Sequence, residues 1–147
     1  MAYQNALVKT VIEVLHDGAK GFPDIGEHLK DTSAKSFFMQ EGETRAIFAR
    51  ELEAEYGTDS GNSNDIGGTT AGAVHRVWGD LKASFGGGDQ TLFETAEQGE
   101  DAARKAYKEA LEDISIGGNL RSILTRQQYH IQASHDKVKA LRDSFAS

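Results

Sequence analysis

The lengths of the connections between helical segments constrain the fold of this chain more than any other feature. Apolar residues recur every three or four positions in four long segments, which is the spacing of one face of an α-helix. A few residues join the first two segments and a few join the last two, whereas the middle connection extends from Gly57 to Asp89. Short connections force consecutive helices to lie antiparallel. The sequence therefore predicts two antiparallel helical hairpins joined by one long crossover.

The first hairpin is predicted from two long apolar faces. Its first helix is expected to begin near Tyr3 and to continue to about residue 30. Pro23 is expected to kink this helix rather than divide it, because proline removes one backbone hydrogen bond while the apolar face keeps its phase. Residues 31–33 supply a turn and an N-cap for the second helix, which is expected to end at Gly57.

Glycines and capping residues divide the rest of the chain. A threonine after the glycine-rich stretch 57–68 can cap a short helix that contains Trp78. Asp89 is expected to cap the next long helix, and Asn119 the last one. An up-down-up-down bundle has no need of so long a middle connection. The predicted fold is therefore all-α: a ferritin-like four-helix bundle whose long crossover carries a short extra helix.

Composition bounds the class of protein. The 147 residues are expected to form one domain, residues 1–147, and they carry a net charge of −7 with basic residues scattered among acidic ones. Because this charge repels a phosphate backbone, nucleic acid is not an expected partner. No apolar run is long enough for a membrane span and no secretory signal is apparent, so we expect no membrane partner and a cytoplasmic location. The absence of cysteine excludes disulfides and thiolate chemistry.

Four polar residues fall on faces that should point into the helical core: Glu41 and Arg45 in the second long helix, Glu100 in the third and Gln127 in the fourth. A carboxylate in a core is costly unless a partner meets it. Arg45 is a permanent cation that suits this purpose. We therefore expect Glu41, Arg45, Glu100 and Gln127 to form a buried polar cluster, with Gly18 of the first helix leaving room beside the guanidinium.

The same level of the bundle is where ferritin-like enzymes bind two metal ions, using a glutamate from each of two helices and a Glu-x-x-His pair from each of the other two. Here the candidate ligands for iron or manganese are Glu41, Glu100 and His130. The set is incomplete, because Asp17 points off the apolar face of the first helix and Gln127 stands three residues before His130, where a glutamate is required. Arg45 would also repel a divalent ion in the same cavity.

The blocks LHDGAKGF, RAIFAREL, GAVHRVWGDLK, EQGEDAARKAYKEAL and HDKVKALRD cover nearly the whole chain. Together, and in this order, they resemble an uncharacterised bacterial family of ferritin-like four-helix-bundle proteins of unknown function. The resemblance implies the bundle fold and a bacterial cytoplasmic setting, and it carries over no catalytic residues. Members of that family often have an arginine-centred block where RAIFAREL stands, which suits a structural role for Arg45.

These observations favour a non-enzymatic bundle without a cofactor, with a role in stress or in assembly. Its arginine–carboxylate cluster would stand where related bundles bind metal. The alternative is a di-metal oxidoreductase or a metal-storage bundle that uses iron or manganese. Since many bundles of this class associate, we expect a homo-oligomer, and specifically a homodimer.

Overall fold

The part of the chain that the structure describes contains four long helices. The computed structural model describes residues 6–60, Trp78 and residues 85–145. Its helices are α1 (Ala6–His28), α2 (Thr32–Ser60), α3 (Gly88–Glu112) and α4 (Gly118–Phe145). The described residues form no strand, which confirms the all-α prediction. None of these four helices combines the length and the apolar character needed to cross a membrane.

Contacts at the helix ends define how the four helices are arranged. α1 packs against α2 and α3, and α4 packs against α3 and α2. At the start of α3, the Asp89 carboxylate accepts hydrogen bonds of 2.9 Å from the backbone N–H groups of residues 30–31, in the turn between α1 and α2. At the start of α4, Asn119 Nδ2 donates to Glu55, near the end of α2, at 3.1 Å. Neighbouring helices therefore run antiparallel, and the connection between α2 and α3 starts and finishes at opposite ends of the arrangement.

Of the four predicted caps, two are wrong, and the threonine cap of the short crossover helix lies outside the described residues. Gly87 occupies the N-cap position of α3 without a side-chain cap, while Asp89 lies inside the first turn and serves the α1–α2 turn instead. Asn119 lies inside α4 and binds α2. In both cases a tertiary acceptor or donor outcompetes the local cap. The cap of α2 is confirmed, because Asp31 Oδ2 accepts from the backbone N–H of Ala34 at 2.8 Å.

The helix boundaries follow the prediction with one exception. α1 continues through Pro23 as a single helix. Gly42 of α2 makes room for the proline ring, since a Cβ at position 42 would lie 2.4 Å from Pro23 Cγ. α2 continues past Gly57 to Ser60, because a glycine costs a helix only about 1 kcal/mol and does not end it by itself. The predicted start near Tyr3 and the short crossover helix lie outside the described residues, apart from Trp78, which is helical.

α1 buries a broader face than its apolar spacing predicts. It contacts α2 on one side and α3 on the other. Its buried residues include Glu13 and Asp17 in addition to the apolar ones. The expectation that Asp17 points off the buried face is therefore wrong, because two neighbouring helices cover a wider arc than a single apolar stripe.

The apolar core has two parts with a polar level between them. The part beside the start of α1 includes Val11, Leu15, Leu52, Tyr107 and Leu124. The part beside the α1–α2 turn includes Phe22, Phe38, Trp78, Phe93 and Val138. Along the four helices, the positions between these two parts include Gly18, Arg45, Glu100 and Ser134. The candidate site therefore lies halfway along the helices, enclosed by apolar side chains at both ends.

Two glycines hold the single tryptophan of the chain in the second part of the core. Trp78 is 8% exposed and its ring meets that of Phe22 edge-on at a centroid distance of 5.4 Å. A Cβ at Gly21 would lie 2.4 Å from the indole, and a Cβ at Gly99 would lie 2.1 Å from it. The indole therefore fills a slot between α1 and α3 that exists because neither position carries a side chain.

We predict that Gly99→Ala displaces the indole. The added methyl group overlaps Trp78, so the free energy of unfolding should fall by about 1–3 kcal/mol, as overpacked cores do. Tryptophan fluorescence should shift to longer wavelength, and the signal reports on this site alone because the chain has one tryptophan. Gly117→Ala is the control, since no heavy atom of the described chain lies within 4 Å of a Cβ there. Equal emission spectra for the two variants would contradict the packing.

Candidate functional site: a buried arginine–carboxylate cluster

The centre of the site is the guanidinium of Arg45, on α2. Its side chain is 1% exposed, although it carries a full positive charge. Nε donates to Glu41 Oε2 at 2.7 Å, one helical turn earlier in α2. Nη2 donates to Glu100 Oε1 of α3 at 2.5 Å and to Ser134 Oγ of α4 at 3.1 Å. One side chain thus connects three of the four helices through charge-assisted hydrogen bonds.

The remaining helix, α1, contacts Arg45 through an aromatic ring and a glycine. Phe22 of α1 lies under the guanidinium, with 4.6 Å between Arg45 Cζ and the ring centroid, which is cation–π geometry. Gly18 of α1 faces the same side chain, and a Cβ there would lie 3.5 Å from Arg45 Cγ and Nη1. This is ordinary van der Waals contact, so position 18 has space for a methyl group and for little more.

Glu100 is the most enclosed carboxylate of the site. It is 0% exposed, and besides Arg45 it accepts a short hydrogen bond from Ser134 Oγ. Burial raises the pKa of Glu100 above its ordinary value, and the charge of Arg45 together with the hydrogen bond from Ser134 does not fully offset this effect. A proton is therefore easier to place on Glu100 than on an ordinary glutamate.

The pKa of Glu41 shifts in the opposite direction because a second basic residue, His130, contacts this carboxylate. His130 of α4 approaches from the partly exposed side, with Nε2 at 3.0 Å and 2.9 Å from the two carboxylate oxygens of Glu41. Burial acts to raise the pKa of Glu41, but the hydrogen bond from His130 and the charge of Arg45 outweigh it and leave the pKa below its ordinary value. Of the two carboxylates, Glu41 therefore keeps its charge to lower pH than Glu100.

Charge balance defines what this site can do. Two carboxylates face one guanidinium, so the buried groups carry one excess negative charge unless His130 or Glu100 holds a proton. Burial lowers the pKa of Arg45, but the charges of Glu100 and Glu41 more than reverse this effect, so Arg45 stays charged. The site can hold a proton and can fix the helices relative to one another.

Gln127 is the one predicted member that the structure places elsewhere. It is 0% exposed, yet its Oε1 accepts from Tyr107 Oη at 2.7 Å. Its Nε2 donates to the backbone oxygen of Phe48 at 3.2 Å and to Glu51 Oε1 at 3.0 Å. The prediction that Gln127 completes the cluster is therefore wrong. Ser134, two helical turns further along α4, occupies that place.

The three candidate metal ligands do not converge on one point. His130 contacts Glu41, but Arg45 takes Glu41 Oε2 and Glu100 Oε1 for its own hydrogen bonds. A metal ion shared by Glu41 and Glu100 would have to replace a guanidinium that is closed off from water. The residues present fit an arginine-neutralised cluster better than a di-metal site.

A second group of polar residues lies on the outer side of α3 and α4. Ligand atoms of Glu97, Asp101 and His135 all lie within 4.8 Å of one another. The apolar pattern of the sequence does not predict this group, because His135 flanks the apolar face of α4. The four-residue spacing of Glu97 and Asp101 was the available signal, since it places both carboxylates on one side of a helix.

The fold and the cluster define an all-helical protein whose core is interrupted by a buried arginine–carboxylate level. The chain belongs to the family described as Domain of unknown function (DUF2383), whose model matches residues 4–113. None of the curated proteins compared with the chain matches it. The matched region includes Glu41, Arg45 and Glu100 but ends before α4, which supplies Ser134 and His130.

We predict that Glu41→Gln destabilises the protein most at neutral pH, by about 2 kcal/mol, because charged hydrogen bonds are lost. The folded-state pKa of Glu41 lies below its ordinary value of 4.5, so its contribution is fully present above that pH. It is lost as the pH falls through the folded-state pKa. Urea unfolding of both proteins from neutral pH into the acid range measures the difference.

Glu94→Gln is the matched control for the pH series, because Glu94 is an exposed carboxylate on α3. It should leave the free energy of unfolding nearly unchanged at every pH. The free energies of unfolding of wild type and Glu41→Gln should converge as the pH falls. If their difference stayed constant down to the acid range, the ionised form of Glu41 would not be what stabilises the fold.

Proposed function

We propose that this protein is a non-enzymatic, ferritin-like four-helix bundle in which an arginine–carboxylate cluster takes the place of a metal site. The observation that carries the proposal is the position of Arg45. Its buried guanidinium bridges Glu41 and Glu100, the two carboxylates that a di-metal site would use. A permanent cation at that point supplies the positive charge that metal ions supply in related bundles.

The arrangement of the helices supports the ferritin-like part of the proposal. Both hairpins are antiparallel, every neighbouring pair of helices is antiparallel, and the long connection joins α2 to α3, a pair not packed as neighbours. One long crossover between two hairpins is the connectivity of ferritin-like bundles. The proposal also includes the bacterial cytoplasmic setting that the resemblance of the sequence blocks implies, and a role in stress or assembly.

The alternative function is a di-metal oxidoreductase or metal-storage bundle that uses iron or manganese at Glu41, Glu100 and His130. The observation in its favour is the contact between His130 and Glu41 at 2.9 Å, since imidazole and carboxylate are both ligands for these metals. In this alternative Arg45 must leave the cavity before an ion can enter. The two functions therefore differ in whether Glu100 is paired with an arginine or with a metal.

A double-mutant cycle at Arg45 and Glu100 tests the proposal. Glu100→Gln should lower the free energy of unfolding by about 3–5 kcal/mol, because it leaves the buried guanidinium with one carboxylate fewer. Arg45→Met should cost a similar amount, and the double variant should recover much of the loss. The coupling free energy from urea unfolding is the measured quantity.

The exposed pair Lys108–Glu112 is the control for the cycle, since its side chains are 71% and 63% exposed. The same type of substitutions there should show a coupling below about 1 kcal/mol. Absence of coupling between positions 45 and 100 would contradict the proposal. So would iron or manganese in the purified native protein in an amount that Glu100→Gln removes.

The proposal includes a homodimer, which gives a separate prediction. Ile47 on α2 and Tyr129 on α4 are 54% and 76% exposed, and these two helices are neighbours. Light scattering should give twice the chain mass of 16.0 kDa, and Ile47→Glu combined with Tyr129→Glu should shift the protein to monomer. A wild-type protein that elutes with the mass of a single chain would contradict this part.

A further inference from the structure

The second polar group, on the outer side of α3 and α4, has the composition of a metal-binding site. Asp101 Oδ1 lies 3.0 Å from His135 Nε2, and Glu97 Oε2 lies 3.9 Å from the same nitrogen. The two carboxylates come from successive turns of α3 and the imidazole from α4. This group is separate from the Arg45 cluster and is not used by the proposed function.

The imidazole of His135 is buried, with 7% exposure, and its second ring nitrogen, Nδ1, contacts a different carboxylate. Nδ1 lies 3.3 Å from Asp136 Oδ1. A histidine that binds metal through one nitrogen commonly donates its other N–H to a carboxylate, which fixes the ring and its tautomer. With the proton on Nδ1, the lone pair of Nε2 points toward Asp101 and Glu97.

The two partners of His135 Nε2 require opposite protonation states of this nitrogen. Asp101 Oδ1, an acceptor, lies at 3.0 Å, while Arg104 Nη1, a donor, lies at 3.2 Å. If Nε2 carries a proton it satisfies Asp101 and repels Arg104, and if it carries none it satisfies Arg104 and repels Asp101. A cation bound to Nε2 and Oδ1 together removes this conflict, because both atoms then act as ligands.

Two arginines supply the positive charge in place of an ion. Arg104 Nη1 contacts Asp101 Oδ1 at 3.3 Å, and Arg142 Nη1 donates to Glu97 Oε1. Their side chains are 42% and 31% exposed, so both can turn into water. Arg45 cannot do this, since its side chain is 1% exposed. This difference separates an exchangeable cation site from a permanently neutralised one.

We propose that Glu97, Asp101 and His135 form a binding site for a divalent first-row transition-metal ion, which displaces Arg104 from Asp101 and His135 when it binds. Two carboxylate oxygens and one imidazole nitrogen suit zinc or manganese, and the exposed side leaves room for water as a further ligand. The imidazole disfavours calcium and magnesium, which select oxygen ligands. The ion would cross-link α3 to α4 on their outer side.

The test is calorimetric titration of the untagged full-length protein with zinc chloride, with calcium chloride as the comparison ion. Zinc should bind with a stoichiometry of one, and calcium should not. Asp101→Asn, at an exposed ligand position, should weaken zinc binding by about tenfold or more without disturbing the core. His135→Gln should abolish the titration signal.

Arg104→Gln gives the discriminating result, because removal of a competing cation should tighten zinc binding several-fold. His16→Gln is the matched control, since His16 forms a similar histidine–carboxylate pair with Glu53 elsewhere on the surface. It should leave zinc affinity unchanged. Zinc affinity that Asp101→Asn leaves unchanged, or that His16→Gln or His130→Gln removes, would overturn the proposal.

Failure of this site is distinguishable from failure of the proposed function. Glu100→Gln should leave zinc titration unchanged, since Glu100 lies in the other cluster. Weaker zinc binding in Arg104→Gln than in wild type would also overturn the proposal, because it would make the guanidinium a supporting group and not a competitor.

Discussion

One buried guanidinium shared by two carboxylates is the interaction on which the rest of the structure depends. Transfer of Arg45 and Glu100 out of water costs several kcal/mol per ion, and their mutual contact, together with Glu41 and Ser134, offsets that cost. If α2 slipped by one turn against α3, Glu100 would be buried without its arginine, and Arg45 would keep only Glu41 of its own helix as an ionic partner. The cluster therefore favours one axial register of α2, α3 and α4 over registers shifted by a helical turn. This holds whatever the cluster contributes to the net free energy of unfolding.

The polar level also explains how the apolar core is divided. Above and below Arg45, the core consists of two separate apolar clusters, and the second of them receives Trp78 from outside the four long helices. Of the glycines that admit the indole, Gly21 lies about one helical turn after Gly18, and Gly99 directly precedes Glu100. Small residues at this level thus serve two purposes: they leave space for a guanidinium on one turn and for an indole on the next.

The sequence predicts those features that depend on helical periodicity and on chain length. The four long helices and the inward positions of Arg45 and Glu100 follow from the three- and four-residue spacing of the apolar residues alone. The sequence does not reveal which of two inward polar residues on α4 meets the cluster, because Gln127 and Ser134 share one face and differ only in depth. Asp89 and Asn119 are misassigned for a related reason: local chemistry favours a cap, whereas contacts with a distant helix end decide the outcome.

The Arg45 cluster and the group of Glu97, Asp101 and His135 show that solvent access, more than residue type, determines what a cluster of arginine, carboxylate and histidine can do. Arg45 is enclosed and cannot turn into water, so Glu41 and Glu100 stay paired with it and hold the helices together. Arg104 and Arg142 have water on one side, so the carboxylates they contact can be released at a small cost in free energy. The same ligand chemistry is therefore structural at the centre of the helices and available for exchange on their outer face.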